Sequence, residues 1–305
     1  MKTRIVIIGC GNVGLAYLKR LCLEELNLEI IIIDLNEEYL QGELLDLESS
    51  LVYCPNNITI RFGNYNDCDT ADIIVITAGV KQSSNDRLKD LNAANEIILD
   101  ITNHLKDTSF KGIYLVATNP LDVITELVAR YTDHDYNKVI GTGTMLDTAR
   151  LKMLISKKVQ VRPGDINVYV LGEHGNSQFV AWSNANIGLE NLSHYISQEE
   201  KEDLEYETRK MGSAIVKFKG YTSDGIASSL VALTLAICND LNCIYPVSNY
   251  NMEYDVFIST PAVIGREGIV KNINIKLTDQ EEKKLRESSE IISDALATIL
   301  PRELY

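Results

Sequence analysis

His174 is the first residue whose type and setting suggest chemistry. It follows the β-branched run VYVL at 168–171 and lies between Gly172 and Gly175. Such a run, bounded by glycine, is typical of a strand, and α/β proteins bind ligands just beyond the carboxyl ends of their strands. An imidazole at that place could exchange a proton near neutral pH. On this observation alone, a loop histidine with an ordinary hydrogen bond remains the alternative.

Asp147 and Arg150 form a second candidate group. They lie three residues apart in a helix predicted to begin near Met145, so they share one helix face. On spacing alone, an exposed ion pair is the simpler interpretation. Asn119, in the triplet TNP at 118–120, follows a predicted strand and would bring a side-chain amide to the edge of a sheet.

The segment GCGNVG at 9–14 has the pattern G-x-G-x-x-G between an apolar run at 5–8 and a predicted helix at 13–26. Gly9 permits a tight turn, Gly11 lets the backbone approach a pyrophosphate, and Gly14 lets the helix pack closely on the strand. The start of the helix would then face the phosphates, because its first N–H groups are free. The segment therefore predicts a dinucleotide site.

Asp34 follows the next predicted strand, 29–33, about where this fingerprint expects an acidic residue. A carboxylate there accepts a hydrogen bond from a ribose 2′-hydroxyl and repels a 2′-phosphate. NAD is therefore favoured over NADP as the cofactor.

Strands and helices alternate through the first half of the chain. Further strands are predicted at 58–62, 73–77 and 113–117, and further helices at 37–51 and 88–105. This alternation predicts an α/β fold with a parallel, doubly wound sheet of Rossmann type. The small and polar segment 78–87 could be a mobile lid or an ordinary surface loop, and composition favours neither.

Beyond residue 141 the pattern becomes helix-led. We place a domain boundary there, between a Rossmann NAD-binding domain at 1–141 and an α+β substrate-binding domain at 142–305. Capping boxes at 197–200 and 278–281 predict the starts of two helices. Residues 256–263 and 269–273 are predicted to be antiparallel strands.

The chain of 305 residues has 29 Lys and Arg against 43 Asp and Glu, a net charge of -14. This balance argues against nucleic acid or an anionic membrane as a partner. No apolar run of membrane-spanning length and no cleavable signal is evident, so a cytoplasmic location is expected. The six cysteines form no C-x-x-C pair, which indicates reduced thiols rather than a zinc site or disulfides.

Together these motifs resemble those of the L-lactate dehydrogenase and L-2-hydroxyisocaproate dehydrogenase family, over essentially the whole chain. The motifs that carry the resemblance are GCGNVG at 9–14, Asp34, TAG at 77–79, TNP at 118–120, GTGTMLDTAR at 141–150, LGEHGNSQFVAWS at 171–183 and KGYTSDGIA at 219–227. The last two look closer to the hydroxyisocaproate branch, and so does Asn176, which replaces an aspartate common in lactate dehydrogenases.

The resemblance implies that His174 exchanges a proton with the substrate while Asp147 orients its ring and stabilises the imidazolium. It implies that Arg150 binds the substrate carboxylate through its planar guanidinium and that Arg87 polarises the carbonyl. Asn119 and Thr222 would donate or accept hydrogen bonds in the substrate pocket. No metal is implied, and the cofactor-binding residues implied are Gly9, Gly11, Asn12, Val13, Gly14, Asp34, Thr77, Ala78, Gly79, Asn119 and Ile226, the last as an apolar face against the nicotinamide.

Gln82 is the residue expected to select the substrate. The malate-specific relatives have an arginine here that pairs with a second carboxylate, whereas an amide leaves that carboxylate unpaired. A monocarboxylic 2-oxo acid is therefore expected, with malate dehydrogenase as the alternative activity. The lid is one residue shorter than in usual lactate dehydrogenases, so Lys81 or Ser83 could take the place of Gln82.

Further implications concern regulation and assembly. Relatives activated by fructose 1,6-bisphosphate have an arginine and a histidine where this chain has Lys152 and Asn167, so we expect no such activation. The resemblance implies a homotetramer. A catalytically silent NAD-binding regulator is a second possibility, but such a protein would be expected to have lost His174 or Arg150.

Overall fold

A computed structural model describes residues 2–54, 56–80 and 87–300, and in the last range it describes side chains from residue 90 onward. Within these residues the first six strands are parallel and lie in the order β6-β5-β4-β1-β2-β3. They are β1 Thr3–Ile8, β2 Leu28–Ile33, β3 Ile58–Phe62, β4 Ile73–Ile76, β5 Ile113–Val116 and β6 Val139–Gly141. The helices between them are α1 Asn12–Leu21, α2 Glu37–Leu51, α3 Arg87–Lys106 and α4 Leu121–Thr132. This order confirms the predicted doubly wound sheet.

The predicted bounds of α2 and β3 match the structure, but α1 ends five residues before the predicted end at residue 26. Beyond Leu21 the chain continues in short turns, in which Leu23 and Glu24 donate their N–H groups to carbonyls three residues earlier. The chain then runs directly into β2, where Leu28 pairs with Thr3. Strand pairing with β1 therefore stops the helix earlier than the apolar pattern predicts.

Three antiparallel strands continue the same sheet beyond β6. They are β12 Cys243–Asn251, β13 Val256–Gly265 and β14 Gly268–Asn272, and they complete a nine-stranded sheet in the order β14-β13-β12-β6-β5-β4-β1-β2-β3. The predicted strands at 256–263 and 269–273 are confirmed as the antiparallel pair β13 and β14. β12 joins β6 at a single residue pair, Ser248 with Gly141.

Short strands and longer helices lie before and after these three strands. They are β7 Ile166–Asn167, β8 Val170–Leu171, β9 Phe179–Val180, β10 Asn186–Ile187 and β11 Glu190–Asn191, together with α5 Met145–Val159, α6 Gln198–Lys219, α7 Asp224–Cys238 and α8 Asp279–Ile299. Both predicted capping boxes are present: Ser197 caps α6 with Glu200, and Thr278 caps α8 with Glu281. The strand predicted at 168–171 is only two residues long, because β8 pairs solely with the equally short β9.

Alternate residues of the central strands belong to two different apolar clusters. Ile5 and Ile7 pack with α1, α2 and α7, whereas Val6 and Ile8 pack with α3, α4 and α8. This period of two arises because successive side chains of a strand point to opposite faces of the sheet. Helices from both halves of the chain therefore cover both faces. None of the helices in the described ranges is long and apolar enough to cross a membrane.

Candidate active site

The glycine loop between β1 and α1 is shaped by close contacts. Gly9 has a φ of 88°, and a side chain there would overlap Ala78. A side chain at Gly14 would overlap the carbonyl of Gly9 and lie 2.8 Å from the Thr77 hydroxyl. Gly11, by contrast, faces open space. Two of the glycines are therefore required by packing, and the third leaves room for a ligand.

The first turn of α1 offers free backbone donors to that open space. Gly11 is the N-cap residue and makes no side-chain capping bond, and no acidic residue lies in the first turn. The N–H groups of Asn12, Val13 and Gly14 have no partner within the helix, as at any helix start. This arrangement suits a phosphate group.

Asp34 lies beside the same loop, at the carboxyl end of β2. One oxygen of its carboxylate accepts a hydrogen bond from the backbone N–H of Cys10 at 2.6 Å, and the other accepts from Asn36 at 2.8 Å. The carboxylate is therefore already oriented towards the glycine loop. The loop, the free donors and this carboxylate are suited to hold the phosphates and one ribose of NAD.

Thr77, Ala78 and Gly79 follow β4 and pack on the glycine loop. The backbone N–H groups of Thr77 and Ala78 both donate to the carbonyl of Ile8, at 2.9 and 3.0 Å, and the Thr77 hydroxyl donates to the carbonyl of Gly9. Gly79 lies against Thr118, the residue before Asn119. The structure thus brings the TAG and TNP segments to the same end of the sheet as the glycine loop.

Part of the predicted lid lies outside the described residues. This includes Gln82, together with Lys81 and Ser83, the alternatives for its place. Arg87 is the first residue of α3, but its side chain is outside the described part. The lid and the roles expected of Gln82 and Arg87 stay predictions.

His174 lies in the loop between β8 and β9 and forms a short hydrogen bond with Asp147 of α5. The distance between Nδ1 and the carboxylate Oδ2 is 2.7 Å. The Asp147 side chain is 4% exposed, whereas that of His174 is 27% exposed. Because Nδ1 is used by the buried aspartate, Nε2 is the nitrogen left for a ligand.

Arg150 contacts the other oxygen of the same aspartate. Its Nη1 lies 3.3 Å from Oδ1 of Asp147, and its side chain is 10% exposed. The guanidinium also lies against Gly212 of α6, where a Cβ atom would be 3.6 Å from Nη1. The interpretation of the 147–150 pair as an exposed ion pair is therefore wrong, because α6 covers that face of α5.

Opposing effects set the pKa of His174. Burial by itself lowers the pKa, but the negative charges of Asp147 and Asp122 raise it by more, so the pKa of His174 lies above its ordinary value. For Asp147 the effect of burial has the opposite sign, because burial raises the pKa of a carboxyl. The neighbouring His174 and Arg150 nevertheless hold the pKa of Asp147 below its ordinary range. The two groups therefore favour an imidazolium beside a carboxylate.

Asp122 is a site residue that the sequence analysis missed. It lies in the first turn of α4, is 2% exposed, and accepts a hydrogen bond from the backbone N–H of His174 at 2.7 Å. Burial raises the pKa of this carboxyl to about 6. A possible signal was its position two residues after the TNP triplet, in an otherwise apolar helix start. A buried carboxylate of this kind anchors the loop that carries His174.

The remaining predicted residues lie at the starts of two helices, α4 and α7. Asn119 is exposed and immediately precedes Pro120, the N-cap of α4. Thr222 and Ile226 are half-buried, just before and within the first turn of α7. Gly225 packs against Leu146, the neighbour of Asp147, so this turn of α7 lies beside the start of α5. Among the described residues, no group of His, Cys, Asp and Glu side chains could hold a metal ion.

Two family models match the chain over most of its length. Residues 3–141 match the lactate/malate dehydrogenase NAD binding domain, and residues 144–301 match the lactate/malate dehydrogenase alpha/beta C-terminal domain. The first match covers the glycine loop and Asp34. The second covers His174, Asp147 and Arg150.

Similar proteins match over nearly their whole length. The L-lactate dehydrogenase of Halalkalibacterium halodurans is 36% identical over 301 residues, which are 97% of each chain. That of Borrelia hermsii is 35% identical over 94% of this chain and 95% of its own.

Solved structures are similar in the same way. A lactate dehydrogenase from a Medee basin deep-sea metagenome library superposes with a TM-score of 0.93 at 34% identity, covering 97% of this chain and 98% of its own. The minor L-lactate dehydrogenase of Enterococcus mundtii gives 0.92 at 30% identity, over 98% and 99% of the two chains. With these matches, a glycine loop and a histidine–aspartate pair, the chain belongs to the lactate/malate dehydrogenase family and is an NAD-dependent oxidoreductase of the lactate dehydrogenase type, acting on a CH–OH group.

Proposed function

We propose that this enzyme interconverts a 2-oxo monocarboxylate and its L-2-hydroxy acid, with NAD as cofactor. Pyruvate and L-lactate are one pair, and 2-oxoisocaproate-like acids with their hydroxy acids are the other. The observation that carries the proposal is the 2.7 Å contact between Nδ1 of His174 and the buried Asp147, which also contacts Arg150. This one carboxylate holds together a proton donor and a cation suited to a substrate carboxylate.

His174 is the acid and base of the proposed reaction. NADH held at the glycine loop would supply the hydride for reduction. In that direction, Nε2 of the His174 imidazolium would donate its proton to the carbonyl oxygen of the substrate. During oxidation the neutral imidazole removes the hydroxyl proton. Asp147 serves both directions, because it fixes the tautomer of the neutral ring and stabilises the charged one.

Arg150 binds the substrate carboxylate in this proposal. Its guanidinium presents two parallel N–H donors, and only Nη1 contacts Asp147, at the long distance of 3.3 Å. Asn119 and Thr222 supply further hydrogen bonds, Ile226 excludes water beside the nicotinamide, and Arg87 polarises the carbonyl. Gly9, Gly11, Asn12, Val13, Gly14, Asp34, Thr77, Ala78 and Gly79 hold the cofactor.

Gln82 sets the preference for monocarboxylic acids in this proposal. The support is chemical: a neutral amide cannot pair with the second carboxylate of oxaloacetate. The motifs at 171–183 and 219–227 support activity on branched 2-oxo acids, as does Asn176. Malate dehydrogenase is the alternative activity, and an enzyme with that activity would be expected to have an arginine at position 82.

Initial rates of NADH oxidation with pyruvate, 2-oxoisocaproate and oxaloacetate test the proposal. We expect both monocarboxylic acids to be reduced faster than oxaloacetate, and the product to be the L-hydroxy acid. The Gln82→Arg variant should gain activity on oxaloacetate, and Ser83→Arg, which adds the same charge one residue later, should not. Faster reduction of oxaloacetate by the unchanged enzyme would overturn the proposal.

We also propose an oligomeric state, a cellular location and an absence of activation by fructose 1,6-bisphosphate. The family resemblance supports a homotetramer, and exposed apolar side chains on α2 and near the end of α6, among them Leu45 and Phe218, are available for subunit contacts. Sedimentation equilibrium measures the oligomeric state directly.

A cytoplasmic location and a domain division near residue 141 are proposed from the sequence. Activity should not depend on fructose 1,6-bisphosphate, which initial rates with millimolar effector and subsaturating 2-oxo acid can measure.

A further inference from the structure

The loop that carries His174 is closed by hydrogen bonds through one serine of α8. The backbone N–H of Glu173 donates to the hydroxyl of Ser288 at 2.6 Å. The hydroxyls of Ser288 and Ser177 lie 2.9 Å apart, and the Ser177 hydroxyl donates to the carboxylate of Glu173 at 2.5 Å. We call this closed circuit of Glu173, Ser288 and Ser177 the serine ring.

The donor and the acceptor of each hydrogen bond in the serine ring follow from the two groups of Glu173, an N–H that can only donate and a carboxylate that accepts. The N–H of Glu173 can only donate, so the oxygen of Ser288 accepts. Ser177 has one hydroxyl proton, and it is directed to the Glu173 carboxylate. Ser288 must therefore donate its own proton to Ser177. Each bond polarises the next in such a chain, so the ring is stiffer than three separate bonds.

The ring spans the catalytic histidine. Glu173 and Ser177 lie on either side of the three residues at 174–176, and Ser288 is fully buried beneath them. Gly172 has a φ of 93°, and a Cβ atom there would lie 2.6 Å from the Ser288 hydroxyl. The loop can therefore approach α8 this closely only because residue 172 is glycine.

The serine ring does not bind the loop alone. Asp122 accepts from the backbone N–H of His174, and Gly172 exchanges two backbone hydrogen bonds with Ser259 of β13, each 3.1 Å long. These bonds hold the loop to α4 and to the sheet. Loss of the serine ring should therefore leave the loop folded but free to shift around His174.

We propose that Ser288 is a positioning residue for His174. Its side chain is fully buried and therefore cannot contact the substrate or the cofactor, and it acts by fixing both arms of the loop, so that the imidazole of His174 stays in line with Asp147. The inference rests on the proposed function, because it takes His174 as the proton donor. No residue of α8 was expected from the sequence to influence the reaction.

Ser288→Ala is the direct test. We expect kcat to fall by about 10- to 100-fold, since small misplacements of a reacting group have effects of this size. The Kd for NADH should stay within twofold of the unchanged enzyme, because the glycine loop lies elsewhere. The kinetic pKa should move down towards that of a free histidine, because a looser loop weakens the contact with Asp147.

Ser289→Ala is the matched control. Ser289 is the next residue of α8 and is also buried, but its hydroxyl donates to the carbonyl of Arg286 in its own helix at 2.7 Å. This variant makes the same chemical change beside the ring and should keep kcat and the pH profile.

Ser177→Ala breaks the ring at a second link and guards against a folding defect in α8. It should reproduce the loss in kcat, and the double variant should lose little more, because both changes break one circuit. A lower Tm with unchanged kcat and pH profile in both single variants would overturn the positioning role. His174→Asn, measured in parallel, separates the two ideas: if it keeps its activity the proposed function fails, and if it alone is inactive only the role of Ser288 fails.

Discussion

The cofactor cleft proposed at the glycine loop 9–14 and the acid–base site proposed around His174 and Asp147 are built in opposite ways. The cleft consists mainly of backbone from segments that directly follow β1, β2 and β4, with open space at Gly11 and N–H groups at the start of α1. The acid–base site consists of side chains from α4, α5 and the β8–β9 loop, with α8 behind them. In the proposed function, the backbone of the cleft binds a ligand common to many proteins, whereas the side chains of the acid–base site define the reaction.

This difference predicts how each region responds to mutation. In the cleft, most side chains other than Asp34 can change as long as the glycines do not, because the proposed ligand contacts are mainly to backbone. In the acid–base site, His174 and Arg150 both pair with the carboxylate of Asp147, so a single replacement among these three residues alters protonation as well as shape. Four changes sharpen or break the comparison, and they are ordered here by the size of their expected effect.

Replacing His174 should have the largest effect. We expect His174→Asn to lower kcat by about two to four orders of magnitude, the usual share of general acid–base catalysis, with little change in the Kd for NADH. Stopped-flow turnover and NADH fluorescence titration measure the two quantities. His194→Asn is the matched control, since His194 pairs with Glu190 on the surface. A His174 variant with a third of the normal rate would contradict the assigned role.

Gly11→Ala should weaken cofactor binding without harming the fold. The new methyl group meets no protein atom within 4 Å, so it extends into the space left for the cofactor. We expect the Kd for NADH to rise by about tenfold or more, equivalent to about 1.4 kcal/mol, with an unchanged or higher Tm.

Gly42→Ala makes the same change in open space on the exposed side of α2. It should stabilise the helix by about 1 kcal/mol and leave NADH binding unchanged. If the Gly11→Ala and Gly42→Ala variants bound NADH with equal affinity, the cofactor would not lie against Gly11.

Asp34→Ser should narrow the preference for NADH over NADPH by about tenfold in kcat/KM. The change removes the repulsion of a 2′-phosphate and also the acceptor for the N–H groups of Cys10 and Asn36. Asp46→Ser removes one carboxylate from an exposed position of α2 and should leave the ratio unchanged. Equal use of both cofactors by the unchanged enzyme would exclude Asp34 as the selecting residue.

The shift of the pH profile in the Asp147→Asn variant should be the smallest of the four effects. The pKa of His174 lies above the ordinary 6.5, and the reduction needs the imidazolium. Reduction should therefore be fast below this raised pKa and fall as pH rises through it, while oxidation of the hydroxy acid should show the reverse. Asp147→Asn should move the midpoint of kcat/KM to lower pH, and Glu190→Gln should not. An unmoved midpoint in Asp147→Asn would assign the titration to another group.

The sequence predicts the parts of the molecule that depend on local contacts. The bounds of α2 and the two capping boxes follow from neighbouring residues, and the glycine loop from six consecutive ones. No strand was predicted where β12 lies, and Pro246 within it is unusual for a central strand. The strand tolerates Pro246 because it pairs with β6 only at Ser248 and faces Pro261 of β13.

The acid–base site was harder to predict because its partners are distant in sequence. The family resemblance implied the contact between His174 and Asp147, but spacing gave no sign that α6 would bury Arg150 beside them. Asp122 and Ser288 both accept hydrogen bonds from backbone N–H groups of the loop, and for Ser288 no sequence pattern indicates this contact. Burial of a polar side chain is set by tertiary packing and has no local pattern to reveal it.

The pairing of β6 with β12, a strand made much later, has a consequence for synthesis of the chain on the ribosome. β5 precedes β6 and can pair with it at once, but β12 begins only at Cys243, long after β6 has been made. Until then β6 is an edge strand, whose free N–H and C=O groups can pair with another nascent chain. β6 is only three residues long, Val139–Gly141, so the edge that it exposes is short. The brevity of this strand protects the growing polypeptide from aggregation while its sheet is incomplete.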